Sequence, residues 1–262
     1  MCGICIEAVD HLPRPIIAIG NNVPDGHTIP PHWHRRGQLI SSATGVMVLT
    51  TNTGTWVVPP QRGLWIPPGT EHRVRAVGVV NTQSLYLETD TIPQMPQCCQ
   101  VVGISPFMRS LLTEAVNLPL NYEPDDRSAA LMALIRHEMQ RLPILPLALP
   151  YPTHEALSAR CRQFVQHPNV HETIDDWSKV LGMSRRAFTR LFKRETGLSF
   201  MAWRQQACLM FAMPRLATGD SVTTVAIDLG YENPAAFTMM FKRTFGSPPL
   251  AYLGCKTKPR GN

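Results

Sequence analysis

The chain has 262 residues, 44% hydrophobic and 17% charged, with a formal net charge of +6. That length suffices for two ordinary domains with cores of their own, and the composition excludes a disordered or fibrous chain. No apolar run approaches the roughly 18 residues that a membrane helix needs. The opening MCGICIEAVD lacks the basic start and long apolar stretch of a secretory signal. The expected compartment is the cytoplasm, with no membrane partner and the seven cysteines reduced.

Charge is unevenly distributed. Residues 1–152 hold 10 basic and 11 acidic side chains, a net of −1, while residues 153–262 hold 15 and 8, a net of +7. A basic half beside a neutral half implies that only the C-terminal part meets a polyanion. The CxxC of Cys2 and Cys5 has no second pair and reads as part of a frayed tail. Cys98 and Cys99 are adjacent and do not bridge, and Cys161, Cys208 and Cys255 read as small buried residues.

In chain order, the first hundred residues punctuate as β-structure. PIIAIG, GVMVLTT, GTWVVPP, GLWIPPG, HRVRAVGVV and QSLYLET are short runs separated by Gly, Pro and Asn. TNTG (51–54) reads as a hairpin turn. Many short strands without intervening helices indicate a sandwich or barrel over residues 1–103. From Ser105 the period changes. SPFMRSLLTEAVNL and DDRSAALMALIRHEMQRL read as helices capped by Ser105 and by Asp125 or Asp126. In the second, Leu131, Ile135, Glu138 and Leu142 lie near one face, with Leu134 and Met139 beside them. Residues 104–142 either cover the barrel or form a dimer seam.

RLPILPLALPYP (141–152) holds four prolines and is expected to be extended. The domain boundary is placed at 143–152, where the charge balance also changes. Beyond it, residues 153–262 read as all helix: 155–166, 173–181, 184–196, 199–218, 221–229 and 234–245. Thr173, Ser184, Ser221 and Asn233–Pro234 mark starts, and Gly182, Gly197, Gly219, Gly230 and Gly246 mark ends. Pro214 is expected to kink or end the long helix.

This half contains a diverged repeat, IDDWSKVLGMSRRAFTRLFKRETG (174–197) against VTTVAIDLGYENPAAFTMMFKRTFG (222–246). Each copy has a short helix, Leu-Gly, a tight turn and a second helix carrying F-x-x-x-F-K-R. A small residue (Ser178, Ala226) lies four before the turn glycine. Two helices crossing closely at a glycine turn make a helix-turn-helix. In the second helix of the first copy, Phe188, Leu191 and Phe192 share the core face. Arg186, Thr189, Arg190 and Lys193 face outward with Arg185 near them, which suits phosphates and guanine edges in a major groove. The second copy presents Ala235, Thr238, Met239 and Lys242, a face for thymine methyls and backbone.

Residues 155–253 resemble the DNA-binding domain of the arabinose-regulator family of bacterial transcription factors. The resemblance rests on GMS-RR-F-x-R-x-F-K-x-E-x-G and on the closing GY-x-N-x-x-x-F-x-x-x-FK-x-x-x-G-x-x-P. It implies sequence-specific promoter binding through both units, activation or repression, and RNA polymerase as a partner where the chain activates. Carried over by position, the base-facing residues are Arg186, Thr189 and Arg190, then Ala235, Thr238 and Met239. WRQQAC at the start of the linking helix and the apolar second face depart from the pattern.

The N-terminal half resembles a cupin barrel. Gly26, His32, His34, Gln38 and Gly45 stand at the intervals of G-x5-H-x-H-x3-E-x6-G, and Pro67, Gly69 and His72 at those of P-x-G-x2-H. Strand alternation puts His32 and His34 on one face with Trp33 on the other, and His72 comes from a neighbouring strand. Three imidazoles converging in a barrel suit a divalent metal, but Gln38 stands where a carboxylate is expected. The site reads as a metal centre, a metal-free effector pocket, or histidines satisfied by hydrogen bonds in a structural core. The expected fold is thus α+β in two domains, a cupin-like barrel with flanking helices and an all-α domain with two helix-turn-helix units. The expected function is a DNA-binding regulator controlled by a small-molecule effector, and its assembly is a homodimer if residues 104–142 form the dimer seam. The competing reading is a metal-dependent cupin enzyme with an accessory helical domain.

Overall fold

The computed structural model describes residues 6–91, 94–123 and 126–253. Cys2, Cys5, Asp125 and Cys255 lie outside them. The chain divides into two compact units, Met1–Thr51 with Trp56–Leu147, and Asn52–Thr55 with Ala148–Asn262.

In the first unit, nine strands follow one another: β1 (Ile16–Val23), β2 (Thr28–His32), β3 (Gly37–Ser42), β4 (Val46–Thr50), β5 (Gly54–Val58), β6 (Arg62–Ile66), β7 (His72–Val77), β8 (Val80–Leu87) and β9 (Gln100–Gly103). One sheet orders β1-β8-β3-β6-β9, and the second runs β5-β4-β7-β2. The pairings β1–β8, β8–β3, β3–β6, β6–β9, β4–β7 and β7–β2 are all antiparallel.

Strand β3 shows how the sequence serves two surfaces. All six of its residues are buried. Gln38 and Ile40 line an internal cavity with Thr82, Ser84 and Tyr86 of β8. Leu39, Leu85 and Leu87 point the opposite way, into a core completed by helices α1 (Pro106–Ala115) and α2 (Arg127–Met139). Alternation at period two therefore gives β3 and β8 a cavity face and a helix face. The two helices cover the barrel through Met108, Leu111, Leu112, Met132, Ile135 and Met139. The buried face of α2 is Ser128, Met132, Ile135 and Met139, whereas Leu134 is 40% exposed and Glu138 only half-buried. This shifts the face expected from sequence. Two methionines, flexible enough to fill the gaps above the sheet, take the place of the leucine. Ser105 and Asp126 cap the two helices.

The Pro-rich segment is extended but is not a free tether. Gly103 N donates to Pro143 O at 2.8 Å and Leu145 N to Val101 O at 2.8 Å, and Leu147 is buried.

The second unit begins with a short strand, β10 (Ala148–Pro150), followed by α3 (Glu155–Gln166), α4 (Ile174–Val180), α5 (Arg185–Thr196), α6 (Phe200–Ala217), α7 (Val222–Asp228), α8 (Pro234–Phe245) and α9 (Pro249–Tyr252). Thr173 caps α4 through a reciprocal box with Asp176, and Ser184, Ser199, Ser221 and Asn233 cap the helices that follow. Helix α6 runs through Pro214 to Ala217 rather than ending there. Its buried Met210, Ala212, Met213 and Leu216 hold the last turn despite the missing hydrogen bond, a defect worth about 3 kcal/mol in an unsupported helix.

The core of this unit is aromatic. Trp177 and Trp203 are fully buried, and Trp177 meets Phe200 at 4.9 Å, Phe164 at 5.7 Å, and Phe188 and Phe192 at 6.3 Å between centroids. Trp203 Nε1 donates to Pro150 O at 2.8 Å, so the only polar atom of that ring is paired. Cys161 and Cys208 are buried thiols whose pKa values burial pushes up to about 12.

Candidate functional site

Two constellations carry chemistry, one in each unit. In the second unit, α4 and α5 are joined by Leu181–Ser184 and α7 and α8 by Leu229–Asn233. The turn glycines Gly182 and Gly230 have φ of +63° and +89°, a region that a side chain disfavours. Ser178 and Ala226 are buried where the paired helices cross. Phe188 and Phe192 anchor α5 in the core, with Leu191 half-buried beside them. The opposite face of α5 carries Arg185, Arg186, Thr189, Arg190 and Lys193, all exposed.

These five are not equivalent. Arg185 is paired with Asp175 at 2.7 Å, and Thr189 Oγ1 donates to Arg185 O at 2.8 Å. Arg186, Arg190 and Lys193 have no ion-pair partner among the described residues and present three uncompensated charges. On α8, Phe237 and Phe241 are buried, Ala235 and Lys242 are exposed and Met239 is 72% exposed. Thr238 is half-buried, and its Oγ1 donates to Pro234 O at 3.1 Å. The first helix-turn-helix offers charge and hydrogen bonds, and the second an apolar face with cations at its end.

In the first unit, β2 and β7 pair with His32 opposite His72. Strand β2 ends at His32, because Pro30 and Pro31 remove two consecutive backbone donors and the register breaks between Ile29 and His32. Trp33 and His34 therefore follow the strand, whereas the sequence led us to expect them to continue its alternation. Trp33 is still turned out, 63% exposed, and His34 is buried. The three imidazoles converge all the same. His32 and His72 lie 4.3 Å apart by ring centroids and His34 and His72 5.2 Å, and one nitrogen from each ring lies within 4.8 Å of the others.

Each ring is oriented by a carbonyl two residues away. Nδ1 of His32 lies 2.9 Å from Pro30 O, Nδ1 of His34 2.6 Å from Arg36 O, and Nδ1 of His72 2.8 Å from Thr70 O. A carbonyl only accepts, so Nδ1 carries the proton in each ring and Nε2 of the neutral ring carries the lone pair. Gln38 sits opposite Tyr86 in the β3–β8 register, and its Nε2 donates to Ser84 Oγ at 3.1 Å and to Tyr86 OH at 3.0 Å. That turns Oε1 toward His34 Nε2, 3.1 Å away. Burial lowers the His72 pKa to about 4, against the opposing hydrogen bond to Thr70 O, so this ring is neutral at pH 7.

This donor set fits a divalent cation. Two lone pairs facing one another are reconciled by a cation between them, and adjacent ligands on a metal at about 2.1 Å stand about 3.0 Å apart. A histidine ligand whose other nitrogen donates to a backbone carbonyl is the usual outer-shell arrangement of metal sites. His32, His34, Gln38 and His72 are the residues that would hold it.

Sequence reasoning missed the neighbouring ion cluster. Arg36 is fully buried, with Nε 2.8 Å from Asp10 and a terminal nitrogen 2.8 Å from Glu88, and it donates to Arg14 O at 2.8 Å. Arg35 spans the same two acids. Two cations and two carboxylates thus cancel beside the cavity and pin residues 35–36, which carry His34 into place. No local signal links Asp10 to Arg36, since the partners are remote in sequence. Tyr86, which holds Gln38, was also legible only through the register.

A double helix-turn-helix unit with a basic first recognition helix, joined to a β-barrel with an internal polar cavity, defines a DNA-binding regulator with a ligand-binding domain. The comparisons agree. Residues 16–141 match the family described as AraC-like ligand binding domain, and residues 177–254 match the helix-turn-helix domain family. The chain is 34% identical over 229 residues to the HTH-type transcriptional regulator NimR of Escherichia coli strain K12, covering 87% of this chain and 84% of that one. It is 37% identical over 94 residues to the transcriptional activator NphR of a Rhodococcus species, covering 34% and 28%. The apo structure of a ToxT point variant from Vibrio cholerae aligns over 94% of this chain and 99% of its own, with 11% identity and a TM-score of 0.41. The chain belongs to the AraC-type family of helix-turn-helix transcriptional regulators.

Proposed function

We propose that this regulator reads promoter DNA with Arg186, Thr189 and Arg190 of α5 and with Ala235, Thr238 and Met239 of α8, while Arg185, Lys193 and Lys242 serve the phosphates. The observation that carries this reading is the exposed row of Arg186, Arg190 and Lys193, uncompensated by any acid among the described residues and rigidly backed by Phe188 and Phe192. A helix anchored on its aromatic side and charged on the other is suited to a major groove. On α8, the exposed Met239 and Ala235 suit thymine methyls.

His32, His34, Gln38 and His72 form the effector pocket and hold a divalent cation there. The barrel is a sensor rather than an enzyme, because its cavity is joined to a DNA-reading unit in one chain. We further propose the domain limits 1–103, 104–142, 143–152 and 153–262, action in the cytoplasm, and RNA polymerase as a partner where the regulator activates. A homodimer through residues 104–142 is supported by the exposed apolar side chains of Phe107 and Leu134 on α1 and α2.

The test is binding of the full chain to its own upstream region against a scrambled duplex of the same composition, over a range of salt. Sequence-selective, salt-dependent binding is expected. Equal affinity for both duplexes, together with substrate turnover that requires His32 and His34, overturns the proposal in favour of a cupin enzyme.

A further inference from the structure

The barrel cavity is unusual in its charge balance. Its polar wall consists of His32, His72, Gln38, Asn21, Ser84 and Tyr86 with Thr82, and no carboxylate among the described residues lines it. Asp10 and Glu88 are engaged by Arg35 and Arg36 in a cluster that sums to zero, and Glu71, beside His72 in the chain, is exposed. A divalent cation on three neutral imidazoles and a neutral amide keeps both positive charges in a poorly solvated interior. That charge must be met by an anion from outside the protein.

The rest of the wall is aliphatic: Val23, Ile29, Ile40, Met47, Val74 and Val80. The cavity is about 70 Å³. A cavity of about 150 Å³ takes the six carbons of a benzene ring, so this one has room for roughly three to four non-hydrogen atoms. Charge, lining and size together specify an anionic head, a short hydrocarbon tail and few atoms.

We propose that the effector of this barrel is a short-chain monocarboxylate, ligated through a divalent cation on His32, His34, Gln38 and His72, with its tail against Ile40, Met47 and Val74. This deepens the reading of the barrel as an effector pocket and rests on it. Gln38 is the specificity-determining residue, because its neutral oxygen completes the ligand set without satisfying the charge. A carboxylate there would supply the anion from within and compete with the effector.

The test uses the full chain, stripped with a chelator and reloaded with Co²⁺, whose visible spectrum reports its ligands. One Co²⁺ per chain is expected, with loss of the spectrum in H34A. Acetate should shift the spectrum, its uncharged isostere acetamide should not, and octanoate should bind at least about tenfold more weakly because the cavity cannot hold it. Q38E should bind Co²⁺ at least as tightly while losing about tenfold or more in acetate affinity, since its own carboxylate already offsets the charge. The hydroxyls of Ser84 and Tyr86 can turn to donate to the introduced carboxylate as they now accept from the amide, so the variant keeps its local bonds. Equal responses to acetate and acetamide, or undiminished acetate binding in Q38E, overturn the proposal. So does failure to bind Co²⁺. Promoter affinity measured on the same preparations separates the two levels: selective DNA binding without an acetate response leaves the regulator intact and removes only the carboxylate effector.

Discussion

Substitution along α5 should separate phosphate contacts from base contacts. Arg186, Arg190 and Lys193 are exposed without an ion-pair partner among the described residues, whereas Asp175 holds Arg185 at 2.7 Å and Glu195 holds Arg194 at 3.0 Å. If all three free cations neutralised phosphates, they would contribute a slope of about −2.7 in log affinity against log salt. That is about 0.9 each, or roughly a 40-fold loss between about 50 and 200 mM salt. A guanidinium that instead reads a guanine edge is worth about 1–3 kcal/mol, roughly 5- to 150-fold, and its loss relaxes sequence preference. Lys193 lies in the last turn of α5, and Arg186 lies in the first turn, the end that reaches base edges in this motif. K193A should therefore weaken all duplexes alike and flatten the slope by about 0.9. R186A and R190A should lower promoter affinity and shrink its ratio to scrambled DNA. D175N releases Arg185 and should steepen the slope by up to about 0.9. Fluorescence anisotropy with labelled promoter and scrambled duplexes, at several salt concentrations, reads all four. Promoter affinity and selectivity that stay within about twofold of the parent in both R186A and R190A would refute the assignment, since a base contact is worth more than that.

Three further outcomes follow from local geometry. Alanine at Gly182 (φ +63°) meets nothing within 4 Å and should cost about 1–2 kcal/mol of backbone strain. At Gly230 (φ +89°) the new Cβ lies 2.8 Å from Asn169 Oδ1, which bonds His171 N, so G230A should cost about 1 kcal/mol more. Hydrogen exchange of α4–α5 against α7–α8 in urea ranks the two, and equal protection loss contradicts the turn geometry. R36M leaves Asp10 and Glu88 with only Arg35, and should destabilise the first unit by about 3 kcal/mol, the lower end for a broken buried pair because both acids keep some solvent; a change in urea midpoint worth under about 1 kcal/mol would show that the cluster contributes little. Hydrogen bonds from Thr153, then Arg194, hold the Glu195 carboxyl at a pKa of about 2, below its usual 4.5. A depressed carboxylate stabilises the fold above its unfolded pKa, and that contribution is lost as pH falls from about 4.5 toward 2. Thermal midpoints of the parent should drop faster across that window than those of E195Q, and parallel curves would remove Glu195 from the acid response.

The helical half was legible because its signals are local. Each helix of the repeat is announced by a capping Thr, Ser or Asn and closed by a glycine, and the aromatic spacing of Phe188 and Phe192 fixes which face is buried. Trp177, the centre of the aromatic core, carried no such signal, since one tryptophan in a seven-residue helix has no period. In the barrel, the spacing of His32, His34, Gln38 and His72 pointed to a shared site. The path to it differed: β2 stops at the prolines, and His34 is delivered by a loop braced by Arg36 on Asp10 and Glu88. The face of α2 was misjudged for a related reason. Leucine and methionine are equally apolar in a helical wheel, and only the shape of the sheet beneath selects Met132 and Met139 over Leu134.

The same strands offer a route by which a cavity ligand would act beyond its pocket. An effector alters DNA affinity only as far as it binds two states of the protein differently, and a tenfold effect needs about 1.4 kcal/mol of such difference. Gln38 and Tyr86 face the cavity, and Leu39, Leu85 and Leu87, their chain neighbours, pack into the core shared with Met108, Leu112 and Ile135. Consecutive residues of β3 and β8 therefore touch the cavity on one side and α1 or α2 on the other. Protein interiors are close-packed, so a displacement at Gln38 or Tyr86 cannot leave Leu39 or Leu85 where they were. The required energy is about that of one hydrogen bond to Gln38, and the bonds it holds to Ser84 and Tyr86 join β3 to β8 at this point. Helices α1 and α2 are thus the surfaces on which a difference between the two states is to be sought, and the exposed Phe107 and Leu134 place that difference where a partner would feel it.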